Sequence, residues 1–524
     1  MKRPLGAQIS HYLKSQGVEV IFGIPGVHNQ EMYRGIEEAG IRHVLARHEQ
    51  GAGFMADGYA RATGKPGVAY VITGPGLCNI MTPMGQAYSD SVSMLVLSSC
   101  LDETSARRGQ LHQMLDQAAA ARTVCDWSEP AHSAAAAYTL IDRAFEEFAH
   151  QRARPKHIQV PIAQLEAMAD PGPARQEPAQ PVKGNGANLP DVAGLIQKAN
   201  KPLFIFGGGA VGAKVMPLLE KSGAAAICTF AGRGVVASDY PLYLGACLAR
   251  PSSADLIATA DLVVVIGSEL AEVDLWRAQL GHKANLVRVD IDPQVLADPQ
   301  SANIRILMRS EDFVGQLTAQ LKPSDERTGW QPDEVKQARQ KWTAETDAEF
   351  PGILPVCRAL QEVMPEQAMI YSDMTQFAYL AKELWDMPRA AHWHHPFGFG
   401  TLGYALPAAI GGAVAREDLP TVAIAGDYGF QYTLPELGVA VELGLNLPIL
   451  VWDNTKLKAI EDSMVAAQIA PNAVQALNPD FSAVARAYGA AACRPKTLSE
   501  LQSELTKAFA EPRPTVIHMT PELG

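Results

Sequence analysis

Two oxygen-bearing side chains lie where consecutive apolar runs of the sequence end. In the stretch AIAGDYGFQYTLPELGVAVELGLNLPILVWDNTKL, Asp427 follows the first run and Asn454 follows the second, 27 residues later. A carboxylate and an amide oxygen, joined by a backbone carbonyl from the following loop, are hard ligands suited to a Mg²⁺ ion that holds a diphosphate. Because Asp and Asn are also common in turns, the spacing alone fits two turn residues without a metal equally well.

The elements that must position these side chains alternate between strand and helix patterns. In the first third of the chain, short β-branched runs such as VEVIFG and GVAYVITG are separated by helical stretches, which indicates parallel βαβ units. The runs LFIF, DLVVVIG and LVRVDID predict a second α/β layer, and AMIYSD, TVAIAGD and PILVWDN predict a third. Ligands of doubly wound sheets bind outside the carboxyl ends of the strands, which is where Asp427 and Asn454 fall. A helix is expected to start near Thr433, between them.

We therefore predict an α/β fold of three doubly wound parallel-sheet domains joined by two linkers. The first linker, 170–190, contains five prolines and no apolar period. The second, 322–352, is dense in charge and is expected to carry a solvated helix. The predicted domains are an N-terminal domain over 1–169, a central Rossmann-like domain over 191–321 and a C-terminal domain over 353–524.

Composition and charge narrow the class of protein. The 524 residues are 47% hydrophobic and 19% charged, which is typical of folded globular chains. The formal charge of −12 disfavours nucleic acid or an anionic membrane as a partner. Seven scattered cysteines without a CxxC pair suggest neither a disulfide framework nor a zinc site. No leader-like apolar region or run of about 18 apolar residues occurs, so a cytoplasmic location is expected.

Three blocks of the sequence together carry a family resemblance. They are RHEQGAGFMADGYARATGKPGVAYVITGPG, FGTLGYALPAAIG and the stretch from GDY to DN. With them the chain resembles, over nearly its whole length, the thiamine-diphosphate (ThDP) enzymes of the acetolactate synthase and 2-oxo-acid decarboxylase superfamily. The superfamily's signature is GDG followed by NN, whereas this chain has Tyr428 and Asp453 at two of those five positions. The resemblance implies a pyrimidine-binding N-terminal domain and a diphosphate-binding C-terminal domain.

The resemblance also implies residue roles at the cofactor. Glu49 would contact the aminopyrimidine ring at N1′, Leu402 would support the bent cofactor, and the carbonyl of Gly400 would accept the N4′ amino proton. Taken alone, Glu49 would be read as a solvated acid and Leu402 as core packing. The implied ligands of Mg²⁺ are Asp427, Asn454 and the carbonyl of Lys456. The further implied cofactor contacts are Thr375, Gln376, Gly426, Asp427, Tyr428, Gly429 and Asn454.

Tyr428 stands where relatives mostly carry glycine. A tyrosine there must either keep ordinary dihedral angles or accept strain of about 1–3 kcal/mol. We predict a strained loop with the phenol turned toward the protein interior or toward Asp453, and ThDP binding that is weaker than in typical relatives.

Candidate substrate residues come mainly from the N-terminal domain. In FGIPGVHNQEMYRGI, Val27 occupies the position where simple pyruvate decarboxylases have an Asp, and His28 follows it. His28 could hold a carboxylate or relay a proton, or it could only cap or pack. Gln113 resembles a polar active-site Gln of acetolactate synthases, and is a catalytic candidate with Glu49 and His28. Ile460 and Ser463 are expected to line the pocket.

These features favour one function over its alternatives. Several stretches resemble 5-guanidino-2-oxopentanoate decarboxylases, which favours decarboxylation of a 2-oxo acid to an aldehyde. The alternatives are an acetolactate-synthase-like ligase, an aldehyde lyase or ligase on other substrates, and a degenerate non-catalytic ThDP-fold protein. The resemblance implies a homodimer or homotetramer with the active site between subunits. The run GGGAVG suggests FAD or a nucleotide in the central domain, but a scaffold role is favoured.

Overall fold

The chain forms three parallel sheets covered by helices. The structure, a computed structural model, describes residues 1–103, 105, 108–174, 189–322 and 329–523. Its sheets contain six, five and six strands in sequence order, and a two-stranded antiparallel pair joins β1 (Arg3–Pro4) to β8 (Met168–Ala169). The predicted fold class, three parallel-sheet α/β domains, is confirmed.

The N-terminal sheet has the strand order β3-β2-β4-β5-β7-β6. Its central strand MLVLSSC is buried along its full length, as expected for a parallel strand covered on both faces. Its strands are β2 (Val20–Gly23), β3 (Arg42–Leu45), β4 (Gly67–Val71), β5 (Met94–Cys100), β6 (Trp127–Pro130) and β7 (Lys156–Pro161). The helices of this domain are α1 (Leu5–Ser15), α2 (Gln30–Arg34), α3 (Glu49–Thr63), α4 (Pro75–Ser89), α5 (Gln117–Arg122), α6 (Ala134–His150) and α7 (Ile162–Glu166).

The central sheet has the order β10-β9-β11-β12-β13. Its strands are β9 (Pro202–Phe206), β10 (Ala225–Cys228), β11 (Leu262–Ile266), β12 (Asn285–Asp290) and β13 (Ile304–Leu307). The helices are α8 (Leu189–Lys198), α9 (Met216–Ser222), α10 (Ser253–Ile257), α11 (Glu272–Leu275), α12 (Pro293–Leu296) and α13 (Ser310–Gln320). The next helix, α14 (Pro332–Glu349), was expected to be solvated, but Trp342 is buried and donates to Ser252 Oγ at 3.0 Å. One face of α14 is therefore anchored on the central domain.

The C-terminal sheet has the order β15-β14-β16-β17-β19-β18. Its strands are β14 (Met369–Ser372), β15 (Trp393–His394), β16 (Thr421–Gly426), β17 (Pro448–Trp452), β18 (Ala491–Cys493) and β19 (Thr515–Met519). Its helices are α15 (Ile353–Val363), α16 (Gln376–Leu384), α17 (Ala405–Ala415), α18 (Asp427–Tyr432), α19 (Leu437–Glu442), α20 (Lys458–Ala466), α21 (Phe481–Ala487) and α22 (Leu498–Ala508).

The helix after β16 starts earlier than the sequence predicted. We expected it near Thr433, but α18 begins at Asp427, ends before Thr433 and is followed by a 3-10 turn and α19. The Asp427 carboxylate favours this early start, because it accepts the Tyr428 N–H and places negative charge at the helix N-terminus. The start of a helix therefore coincides with the carboxyl end of β16.

Small residues let α3 and α17 pack backbone to backbone. A Cβ at Gly58 would lie 1.9 Å from the Ala408 carbonyl oxygen, and one at Gly411 would lie 1.9 Å from the Met55 carbonyl oxygen. Side chains of both helices also belong to one continuous buried cluster. The two end domains therefore share a core.

No helix among the described residues is both long enough and apolar enough to cross a bilayer.

The buried His157 makes the fold sensitive to acid. Its ring lies between Ser98 Oγ at 2.8 Å and Ser128 Oγ at 2.7 Å, and burial lowers the pKa of His157 to about 3. The unfolded chain therefore binds a proton that the native chain excludes, and stability is lost as pH falls from about 6.5 toward 3. We expect this residue to contribute a slope of up to about 1.4 kcal/mol per pH unit to the free energy of unfolding.

Urea unfolding between pH 7 and 5 measures that slope. His157→Asn should flatten it, while His132→Asn, at an exposed position, should not. An NMR titration of the wild-type ring gives an independent check, because His157 should stay neutral at pH 5. A ring that is half-protonated near pH 6.5 would contradict the prediction.

Candidate active site

The candidate cation residues lie at the ends of neighbouring strands. Because β16 pairs with β17 and Gly426 lies opposite Trp452, Asp427 and Asp453 leave the sheet side by side. Asp427 is only 4% exposed. Its Oδ2 accepts from Asn478 Nδ2 at 2.6 Å, and the same nitrogen donates to Asp453 Oδ1 at 2.8 Å. Burial and the neighbouring Asp453 raise the pKa of Asp427 to about 6.

Asn454 continues this arrangement into the next loop. Its Nδ2 donates to Gln376 Oε1 at 3.1 Å, and its Oδ1 accepts from the Lys456 N–H at 3.2 Å. A carboxylate, an amide oxygen and a backbone carbonyl are the donor types that Mg²⁺ prefers, so Asp427, Asn454 and Lys456 fit that ion. In the described part of the chain no three His, Cys, Asp or Glu side chains are grouped as a metal site. Amide and backbone oxygens would therefore have to complete the coordination.

The candidate diphosphate contacts surround the start of α16. Thr375 is the buried residue before α16 and Gln376 is its first residue. A Cβ at Gly426 would lie 3.1 Å from Thr375 Cβ. These residues therefore bring two strand ends together with little side-chain bulk between them.

Asp373, which was not predicted from the sequence as a site residue, fixes the loops around this region. Its Oδ2 accepts from the Gly403 N–H at 2.8 Å, and its Oδ1 accepts from the Met374 N–H at 2.8 Å. A Cβ at Gly429 would lie 2.4 Å from Asp373 Oδ2, so this position requires glycine. Burial raises the pKa of Asp373 to about 6. The only signal in the sequence was its place directly after the strand AMIYS.

Gly400 and Leu402 lie on a loop held from both sides. Asp90 of the N-terminal domain accepts from the Gly398 N–H at 3.0 Å, while Asp373 holds the loop at Gly403. Gly400 has φ +65°, a conformation that favours glycine. Leu402 is half-buried, so part of its side chain is free to contact a bound molecule.

Tyr428 is not strained, which corrects the prediction made from the sequence. It lies in the first turn of α18 and is absent from the residues with positive φ. The helix begins one residue earlier, at Asp427, so position 428 has ordinary helical dihedral angles that tyrosine adopts freely. The side chain is half-buried.

We therefore expect Tyr428→Gly to leave ThDP affinity unchanged, because there is no strain to release. The variant should lose about 0.5 kcal/mol of stability from its lower helix propensity. Calorimetric titration with ThDP measures the affinity, and Tyr428→Ala is the matched control because it removes the ring and keeps a helix former. If Gly bound ThDP about tenfold more tightly than Ala, the strain would exist after all.

Glu49 opens α3 in the N-terminal domain. It is 8% exposed, and its Oε2 accepts from Asn79 Nδ2 at 2.9 Å. The chain just before it is held from the C-terminal domain, where Glu436 accepts the N–H groups of Arg47 and His48 at 3.1 and 2.9 Å. Burial raises the pKa of Glu436 to about 7. The position of Glu49 is therefore set by both end domains.

The N-terminal substrate candidates lie on two neighbouring loops. Val27 is 64% exposed, and the His28 ring meets the His112 ring edge to face at 4.9 Å between centroids. Burial and His112 lower the pKa of His28. Gln113 Oε1 accepts from the Gln110 N–H at 3.2 Å, which folds its loop back on itself. His112 was not predicted from the sequence, although it directly precedes Gln113.

Ile460 and Ser463 lie on α20, a helix without a buried residue. Ile460 is 50% exposed and Ser463 is exposed.

The side chain of Glu49 and the ring of His28 contact residues of the N-terminal domain, whereas the side chains of Asp427 and Asn454 contact residues of the C-terminal domain. The structure thus groups the predicted site residues into two sets on two domains.

The glycines of GGGAVG in the central domain serve loop packing. Gly207 donates its N–H to the Ile266 carbonyl and Gly209 donates to the Gly267 carbonyl, both at 2.9 Å. A Cβ at Gly207 would lie 2.1 Å from the Gly267 carbonyl oxygen. A cavity of about 570 Å³ lies beside these loops, between the three domains.

Comparison with known proteins gives consistent matches along the chain. Three family models match in order: the thiamine pyrophosphate (TPP) enzyme N-terminal TPP binding domain over residues 3–120, the central domain over 189–317 and the C-terminal TPP binding domain over 373–519. The probable 2-ketoarginine decarboxylase AruI of Pseudomonas aeruginosa is 38% identical over 98% of this chain and 93% of its own. The acetolactate synthase isozyme 1 large subunit of Escherichia coli is 26% identical over 99% and 94%. The mitochondrial acetolactate synthase catalytic subunit of Saccharomyces cerevisiae is 27% identical over 98% and 80%.

Proposed function

This chain belongs to the thiamine pyrophosphate enzyme family, and from that premise we propose that it decarboxylates a 2-oxo acid to an aldehyde and CO₂ without oxidation. The proposed cofactors are ThDP and Mg²⁺. The observation that carries the proposal is the pair of site halves: a buried Glu49 at the start of α3, and a buried Asp427 beside Asn454 at the strand ends. The proposed substrate is 5-guanidino-2-oxopentanoate, supported by the similarity to a relative named for 2-ketoarginine.

The chain's residues have distinct tasks in this proposal. When bound, the thiazolium ring of ThDP supplies the electron sink for loss of CO₂. Glu49 would hold a proton at N1′ of the aminopyrimidine ring, and the Gly400 carbonyl would accept from the N4′ amino group. Leu402, half-buried on its loop, would support the bound cofactor. The residues that would contact the diphosphate are Thr375, Gln376, Gly426, Tyr428 and Gly429. Mg²⁺ would be held by Asp427, Asn454 and the carbonyl of Lys456.

The substrate end is assigned to Val27, His28, Ile460 and Ser463. The lowered pKa of His28 keeps its ring neutral at pH 7, so it can act in proton transfer without a fixed charge. Val27 leaves the loop without the carboxylate of the small-substrate decarboxylases. These features support a substrate with a longer tail than pyruvate.

A panel of 2-oxo acids tests the function. The protein is incubated with ThDP, Mg²⁺ and each acid, and products are identified by mass. We expect an aldehyde without a two-substrate adduct, and the highest kcat/KM for the guanidino acid. The second candidate, an acetolactate-synthase-like ligase, is supported by Gln113 and by the synthase relatives. If the best reaction is the formation of acetolactate from pyruvate, the ligase replaces the decarboxylase as our proposal. If no acid is turned over, a non-catalytic protein is favoured.

We also propose that two subunits share each site, in a homodimer or homotetramer. Apolar side chains are exposed on both site halves and would be covered by a second subunit; they are Val27, Leu111 and Leu115 on the N-terminal domain, and Ile460, Val465 and Leu477 on the C-terminal domain. For the central domain we propose a scaffold role, because Gly207 and Gly209 use their N–H groups within the fold.

A further inference from the structure

Asp453 departs from the family signature, and its carboxylate is held at every oxygen. Oδ2 lies 2.8 Å from His518 Nε2, while Oδ1 accepts from the Thr455 N–H at 3.0 Å and from Asn478 Nδ2 at 2.8 Å. Both Asp453 and His518 are buried, and the His518 ring packs edge to face on Phe481 at 5.4 Å. The carboxylate therefore has a fixed position.

That position is next to Asp427. The nitrogen of Asn478 that touches Asp453 also touches Asp427 Oδ2, at 2.6 Å, so both carboxylates border one atom. Asn478 is itself held, because its Oδ1 accepts from Gln431 Nε2 at 3.1 Å. Two buried carboxylates this close repel each other, and an amide group between them offsets only part of that repulsion. A divalent cation at Asp427 would offset it more fully.

We propose that Asp453, positioned by His518, supplies a second negative charge at the cation site. It attracts the cation without coordinating it. The inference rests on the proposed function, because it takes Mg²⁺ and ThDP as the occupants. The charge of the surrounding carboxylates sets cation affinity in oxygen sites, so Asp453 strengthens cation binding. Without the cation, the same charge repels the diphosphate. Asp453 therefore makes ThDP affinity depend more strongly on the bound cation. By linkage, cation affinity then depends equally on bound ThDP.

Titration with Mn²⁺, followed by its electron paramagnetic resonance signal at saturating ThDP, measures cation affinity directly. We expect Asp453→Asn to weaken Mn²⁺ binding about tenfold, equivalent to about 1.4 kcal/mol. The double variant Asp453→Asn/Asn478→Asp returns a carboxylate to the neighbouring position, next to Asp427, and should restore most of the affinity. Asp290→Asn, a buried aspartate at the end of β12, is the control and should bind Mn²⁺ like the wild type.

A second readout is ThDP affinity by calorimetry in chelator and in Mg²⁺. Asp453→Asn should bind ThDP more tightly than the wild type in chelator, so the ratio of the two affinities should fall. Thermal unfolding without cation or cofactor should differ little between the wild type and the variant. Asp453→Ser, which also lacks the charge, replaces Asp453→Asn if that variant does not fold.

The outcomes separate the inference from the function on which it rests. A wild-type protein that binds no Mn²⁺ in the presence of ThDP would refute the proposed cofactor site itself. Equal Mn²⁺ affinities of the wild type and Asp453→Asn would overturn the inference but leave the proposed cofactor site standing. Weaker binding by Asp453→Asn that the double variant does not restore would also overturn it, because Asp453 would then act through the fold rather than through its charge.

Discussion

Glu49→Gln is expected to lower turnover by about two or more orders of magnitude, because glutamine cannot hold the proton at N1′. The substitution keeps the size of the side chain and an oxygen that can accept from Asn79, so the fold and ThDP affinity should change little. Steady-state decarboxylation measures the loss of turnover. Circular dichroism checks the fold, and a ThDP titration measures the cofactor affinity. Glu19→Gln, at an acid that pairs with Lys65 on the surface, is the control and should keep full activity. Retention of most activity by Glu49→Gln would remove Glu49 from its role.

Asp427→Ala is expected to weaken ThDP binding in Mg²⁺ by about a hundredfold or more, equivalent to about 2.7 kcal/mol. The variant loses the one carboxylate among the proposed cation ligands. Stability without cofactor should change much less, because alanine removes the repulsion between Asp427 and Asp453 together with the hydrogen bond from Asn478. Calorimetry in Mg²⁺ and in chelator measures the binding. If the wild type binds ThDP equally in both, the cation has no role here.

These two variants together test whether the site is shared between subunits. Co-expressed with different tags, they give a mixed dimer in which a shared site would combine an intact Glu49 from one subunit with an intact Asp427 from the other. Such a dimer should have about half of the wild-type activity, because one of its two symmetric sites is complete. A mixed dimer as inactive as its parents would place each site within one subunit.

The sequence predicted the parts of the site that follow from strand periodicity. Asp427 and Asn454 could be placed at neighbouring strand ends because β-branched runs mark β16 and β17, and parallel strands end at one edge. Glu49 could be identified only through its motif, since a single acid at a helix start has no distinguishing pattern.

Other features depended on tertiary structure. Asn478 reaches Asp427 across 51 positions from a loop without periodicity, so no local pattern identifies it. The predicted strain at Tyr428 is wrong because the prediction placed the residue in a loop, whereas the helix begins one residue before it and the Asp427 carboxylate accepts its N–H. Tertiary contacts, rather than residue types, therefore determine the role of Asn478 and the conformation at Tyr428.

The close packing of α3 on α17 bears on how the chain folds during synthesis. Asp57 and Tyr404, whose side chains meet at 2.7 Å, are separated by 347 positions. Contacts between such distant positions form late, and chains emerge from the ribosome N-terminal domain first. The small-residue surface of α3 therefore lacks its partner until α17, which lies in the last third of the chain, has been synthesised. We expect this unfinished state, more than the finished protein, to be the species that aggregates and that chaperones must protect.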